Sequence, residues 1–361
     1  MLSKGVKRFL RMIKSPRTIM SVVTLLFLAL ILFLSRHELV KAWELLHRAN
    51  VWLLLLLIPF QVLVYFAGGE MVFSYLRQKK LIRHISRFEQ TRIALELNLV
   101  NHIFPSGGVS GISYVTWRMS KLDVDSARST FAQVVRYVTG FLALLALLIL
   151  AVVILAIDGQ VNRYIVGASF LLVIVILGLT FGLIFMFSSQ RRILLVAEKL
   201  ARLINTFIKI TTLGKNRRLV SSTKVKSFFE NMHDDFSELS DKPKLLIKPF
   251  IWGIIYTIFD VLMFMVAFLS LGVLVNPAIL MVGYGVAGLA GLVVFTPGGA
   301  GVYEAIMIIF LSMAGTSSDL AIAGIILTRA ILVTGTITLG YIFYQHAIIK
   351  YGKPNDTKIQ R

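Results

Sequence analysis

Apolar runs long enough to cross a bilayer recur along this chain, at roughly 19–34, 51–67, 131–157, 164–187, 249–271 and 319–346. The hydrocarbon core offers no water to hydrogen-bond the backbone, so a crossing segment must satisfy its own N–H and C=O groups and folds as a helix. A β-barrel would show short alternating segments, and the sequence has none. The expected fold class is therefore an all-α polytopic membrane protein. It would have about six transmembrane helices.

Charge sets the expected topology. The formal net charge is +20. In a soluble chain that would suggest nucleic acid, but here the basic residues sit between apolar runs, where they set orientation and meet anionic headgroups. The N-terminal arm carries six Lys/Arg before Thr18. The stretch from Arg77 to Arg92, the segment 188–248 and the C-terminal tail are also basic. All four are expected on the cytoplasmic side of an inner membrane, with both termini inside. No small-x-small cleavage site follows the run ending at Leu34, so it reads as an uncleaved first span. The chain has no cysteine, which excludes disulfides, thiolate nucleophiles and iron–sulfur clusters. One domain over 1–361 is expected, with a first half 1–187, interfacial helices 188–248, a second half 249–346 and a tail 347–361. The triplet His233-Asp234-Asp235 reads as exposed helix surface, and no metal or cofactor is expected.

Two glycine motifs break the apolar pattern. One is Phe104-Pro105-Ser106-Gly107-Gly108-Val109-Ser110-Gly111, and the other is Phe295-Thr296-Pro297-Gly298-Gly299-Ala300-Gly301. Each precedes a long apolar helix with one arginine, Arg136 or Arg329. Val138-Thr139-Gly140 and Val333-Thr334-Gly335 extend the match. A helix broken by a glycine loop, present twice, predicts two re-entrant helical hairpins in an inverted repeat. Gly283, Ala287 and Gly291 fall on one face of the arm before the second loop, which suits close helix packing.

Charges inside spans cost roughly 2.5–3.5 kcal/mol each on insertion scales, so each asks for a partner or a purpose. An arginine fork matches a phosphodiester, and a glycine loop can aim backbone N–H groups at the same anion. On that reasoning Arg136, Arg329, Gly107, Gly108, Ser110, Gly298, Gly299, Gly301 and Tyr303 are candidates to bind a phospholipid headgroup. Glu96, Asp260 and Glu304 are candidates for charge pairing or ion coupling. The alternative is internal pairing, Arg329 with Glu304 or Arg136 with Asp260. Ser110 also reads as a helix cap, and His102 as a hydrogen-bonded helix-end residue.

The first loop, together with Pro297-Gly298-Gly299-Ala300-Gly301-Val302-Tyr303-Glu304, resembles the transmembrane region of lysylphosphatidylglycerol synthases. This flippase-like domain is also found at the N-terminus of the multiple peptide resistance factors. The resemblance covers nearly the whole chain and implies translocation of a lipid between leaflets. The lipid would be a phospholipid or a polyprenyl-phosphate-linked one. Those factors add a soluble aminoacyl-transferase domain. This chain ends about fifteen residues after the sixth run, so aminoacyl transfer is not expected of it. Two rival readings remain: a scaffold for a separately encoded synthase or glycosyltransferase, and a membrane enzyme that modifies lipid headgroups. Nucleic acid is not expected as a partner, and self-association is left open.

Overall fold

The computed structural model describes residues 33, 36–104, 109–157, 163–211, 222–293 and 301–352. The first expected span, at 19–34, lies almost wholly outside them. Every regular element among the described residues is helical. Five helical segments are long and apolar enough to cross a membrane: Val51–Gln78, Ser126–Ile157, Arg163–Phe187, Pro243–Ser270 and Ser318–Tyr351. The chain is a multi-pass membrane protein.

In chain order the helices are α1 (Arg36–Leu46), α2 (Val51–Leu55), α3 (Leu57–Gln78), α4 (Arg87–Ile103), α5 (Val109–Ser120), α6 (Ser126–Ile157) and α7 (Arg163–Phe187). They continue as α8 (Gln190–Thr211), α9 (Ser222–Asp241), α10 (Ile247–Ser270, preceded by a 3-10 turn), α11 (Pro277–Val293), α12 (Val302–Met313) and α13 (Ser318–Tyr351). The expected second span is longer than its apolar run. It continues through Gly68-Gly69-Glu70 to Gln78, and Glu70 pairs with Arg77 about two turns further along the same face. The helix lengths around the two glycine loops match. Arms of 17 and 12 residues flank the first loop (α4, α5), and arms of 17 and 12 residues flank the second (α11, α12). Each pair is followed by a long helix of 32 or 34 residues.

The helices form two compact units, and α3, α5 and α10 contribute to both. The first unit holds the chain up to Phe66, Arg87–Tyr114 and Ile258 onward; the second holds Ala67–Ser86 and Val115–Thr257. Each unit draws on both of the sequential halves 1–187 and 249–346.

In the first unit α13 is central and packs on α4, α12 and α1. Glycine permits its closest approach. A β-carbon on Gly340 would stand 2.7 Å from Leu99 Cβ and 3.0 Å from the Leu95 carbonyl oxygen. The arms α11 and α12 pack through Gly283, where a β-carbon would stand 2.9 Å from the Phe310 ring. Ala287 on the same face is fully buried, whereas Gly291 has nothing within 4 Å of a β-carbon. The small-residue face thus works at its first two positions.

In the second unit α6 packs on α7 and α9, and α8 packs on α9. A ladder of rings, Tyr75–Phe131–Phe187–Phe236, runs through it at centroid spacings of 6.2, 5.7 and 6.2 Å. Phe170, Leu171, Ile174, Phe181 and Phe185 stay exposed along α7, an apolar face suited to lipid. The His233-Asp234-Asp235 triplet departs from its expected exposure. Asp234 is exposed, but His233 Nδ1 bonds the Phe187 carbonyl at 2.8 Å, and Asp235 is buried in an ion pair with Lys79. Among the described residues no group of three His, Asp or Glu side chains is placed to hold a metal ion.

Candidate functional site

The densest charged cluster of the first unit is assembled by α10, α11, α12 and α13. Gly301 has φ +86, a conformation natural only to glycine, and turns the chain into α12. Glu304, in the first turn of α12, reaches back so that the Gly301 N–H donates to its Oε2 at 2.6 Å. This satisfies one of the amide donors a helix start leaves over. The other oxygen of Glu304 accepts from Arg329 Nε at 2.5 Å. Both side chains are largely shielded, at 13% and 8% exposure. The Arg329 guanidinium lies 5.0 Å from the centroid of the Tyr303 ring, and that ring stacks on Phe264. Asp260, from α10, accepts from the Tyr284 hydroxyl of α11 at 2.8 Å. Arg329 is within electrostatic reach of both Asp260 and His102. Arg329 thus pairs with Glu304 beside the Tyr303 ring, and the Asp260–Tyr284 hydrogen bond joins α10 to α11 within the same unit.

The remaining expected residues of this unit lie nearer the first loop. Glu96 is fully buried and accepts from Tyr114 Oη at 3.0 Å. Ser110 Oγ donates to the Val100 carbonyl at 3.5 Å, and His102 Nδ1 bonds the Asn98 carbonyl at 2.8 Å. Gly107, Gly108, Gly298 and Gly299 lie outside the described residues.

A family model described as the lysylphosphatidylglycerol synthase TM region matches residues 19–340. The chain belongs to that family. None of the curated proteins or solved structures compared with it matches.

Within this lysylphosphatidylglycerol synthase transmembrane-region fold, the structure adds residues that sequence reasoning missed. Gln61 Nε2 donates to the Leu332 carbonyl at 2.7 Å, and Tyr65 bonds both Gln61 and Thr336. These ties join α3 to α13 beside Gly335, where a β-carbon would collide with Gln61. Next to them lies an apolar cavity of about 470 Å³, lined by Pro59, Val62, Leu63, Tyr65, Leu95 and Leu339 among others. That volume falls in the roughly 300–1,000 Å³ range of ligand pockets. Arg118, in the last turn of α5, is completely buried in the second unit. Arg136 also belongs to that unit, whereas its expected partner Asp260 belongs to the first.

Proposed function

We propose that this chain is a lipid translocator of the inner membrane, with both termini cytoplasmic. It would carry a phospholipid or a polyprenyl-phosphate lipid between leaflets as a carrier and not as an enzyme. The observation that carries this reading is the Arg329 cluster, which gathers charged and polar side chains from four helices whose sequences are otherwise apolar. Intramembrane charges of this kind mark substrate paths. A headgroup phosphate would compete with Glu304 for the guanidinium fork, while Asp260 and Tyr284 meet the remaining polar groups. The neighbouring apolar cavity offers room for a hydrocarbon chain. On this reading the paired short arms are re-entrant hairpins of an inverted repeat, the frame that places substrate sites near a bilayer midplane.

The test is lipid movement in proteoliposomes carrying fluorescent phosphatidylglycerol. Wild type is expected to move the lipid and Arg329→Ala to lose that movement. No movement by folded wild type, across several lipids and with an imposed proton or sodium gradient, would overturn the reading.

The basic face of α8, with Arg191, Lys199 and Arg202 exposed, favours one second reading. It would dock a separately encoded synthase or glycosyltransferase. As a non-transporting scaffold, folded wild type would then move no lipid, and charge reversal of Arg191, Lys199 and Arg202 would abolish co-purification of that enzyme.

A further inference from the structure

The membrane span α7 ends at Phe187, the chain turns at Ser188-Ser189, and α8 begins at Gln190. A helix that starts so soon after a span starts at headgroup level. α9 returns to the same level. His233 Nδ1 bonds the Phe187 carbonyl at 2.8 Å, and the Phe236 ring stacks on that of Phe187. The pair α8–α9 is therefore fastened to the end of the span.

One side of α8 prolongs the lipid-facing side of α7. The Arg192 guanidinium lies 3.8 Å from the centroid of the Phe185 ring and donates to Ser188 Oγ at 2.7 Å. Phe185 is 62% exposed, on the apolar face of α7. Leu195, Lys199 and Arg202 follow Arg192 along one stripe of the helix, and Arg191 borders it. Leu195 is 50% exposed, and Arg191, Lys199 and Arg202 are exposed around it. Ile193 and Ala197, on the other side of the helix, are buried, and α8 packs on α9. From Gln190 to Arg202 the helix carries four cations and a single carboxylate, Glu198. Glu198 stands 3.8 Å from Arg202 with both side chains exposed, a pairing too weak to occupy the guanidinium.

We propose that this stripe docks α8 on the anionic headgroup layer of the protein's own bilayer, with Leu195 reaching the apolar boundary. Cations beside phosphates and an apolar residue beneath them are how an amphipathic helix holds such a surface. A soluble enzyme would compete for the same face. Arg192 over Phe185 favours the leaflet, because it sets the stripe on the side of the molecule that lipid covers. The inference goes beyond the carrier reading and does not depend on it. Its consequence is regulatory: Lys79 bonds Asp235 and Glu238, so α9 passes the contact on to the end of α3.

The chain has no cysteine, so Leu195→Cys carries one bimane label. The full labelled chain is placed in vesicles of phosphatidylcholine, with or without phosphatidylserine, and quenching by lipids with a nitroxide at headgroup depth is measured. Quenching is expected to rise with phosphatidylserine and to fall at high salt, which screens exposed charges. Arg191→Gln, Lys199→Gln and Arg202→Gln are each expected to lower the ratio of docked to free label about fivefold. Arg191→Lys and Arg202→Lys keep the charge and are expected to keep the docking. Lys41→Gln, an exposed lysine of α1, controls for net charge and is expected to change nothing.

A label equally free in both kinds of vesicle would overturn the leaflet contact and leave the face to a soluble partner. Equal quenching in both, indifferent to salt and to the glutamine variants, would overturn its electrostatic basis. Lipid movement is read separately in the same vesicles. Movement unchanged when docking is lost would overturn the link to α3, whereas docking without any movement would count against the carrier reading alone.

Discussion

Glu304 holds Arg329 with one carboxylate oxygen and the backbone of Gly301 with the other, at 2.5 and 2.6 Å. The same carboxylate ends the glycine loop, starts α12 and neutralises a charge on α13. Removing either side chain alone strands the other charge in a poorly solvated place, at a cost of about 3–5 kcal/mol. Replacing both with methionine removes the stranded charge, and such double replacements are often neutral or stabilising. Denaturant unfolding in detergent of Glu304→Met, Arg329→Met and the double variant is expected to show this strong coupling. Additive losses would mean that the pair does not act as a unit.

The glycines separate into positions that need the missing side chain and positions that do not. Gly340→Val pushes a side chain into Leu99 and the Leu95 carbonyl, and overpacking of this kind costs typically about 1–3 kcal/mol. Gly178→Ala on α7 meets nothing within 4 Å of its new β-carbon. It is expected to be neutral, or to stabilise by up to about 1 kcal/mol through helix propensity. Paired melting curves of the two variants test the contrast.

Lys79 Nζ bonds Asp235 and, at 2.9 Å, Glu238, fastening the end of α3 to α9. Burial pushes the Asp235 carboxyl up, and the hydrogen bond from Lys79 holds the Glu238 carboxyl down. The two signs oppose each other. Asp235 binds its proton more tightly folded than unfolded, so its contribution to stability rises as pH falls through its folded range. Glu238 stabilises above its unfolded range and loses that contribution as pH falls through its lowered one. Mild acid is therefore expected to protonate Asp235 while Glu238 still holds Lys79, and stronger acid to release both. Melting temperature against pH is expected to lose its mild-acid gain in Asp235→Asn and its strong-acid loss in Glu238→Gln.

Tyr65→Phe removes the hydroxyl that meets Gln61 and Thr336, leaving each with its bond to the Leu332 carbonyl. A modest loss of about 0.5–1.5 kcal/mol is expected. Hydrogen exchange at the α3 and α13 amides is the sensitive measurement, because the change loosens that contact without opening the core.

The elements were legible where local pattern decides them. The runs at 131–157, 164–187 and 249–271 are mostly apolar, and each corresponds to a helical segment long enough to cross a membrane. Glu304 and Arg329 stood out as charges in apolar surroundings, and their pairing was one of the two readings they allowed. Elsewhere, contacts between distant parts of the chain override the local signal. The apolar run of the second span stops before Gly68-Gly69, yet α3 runs through it, and a β-carbon on Gly68 would stand 3.3 Å from the Tyr256 ring. Lys79 and Asp235 are 156 positions apart, and Gln61 and Leu332 are 271. No periodicity joins residues at such separations; only the folded chain does. Asp235 looked solvated because its neighbours in sequence are polar, whereas its neighbours in space are Lys79 and the wall of α6.

α12 is 12 residues long, a rod of about 18 Å. The hydrocarbon layer is roughly 30 Å thick, so this rod cannot reach from one surface to the other. Its two ends meet whatever the layer provides at those depths, and that changes when the bilayer is thinned or thickened by a few ångströms. Gly301 and Glu304 stand at one of those ends. Lipid movement is accordingly expected to vary with the acyl length of the host bilayer even when headgroup, charge and protein are held constant. Elastic mismatch, a property of the solvent, would then help set the rate.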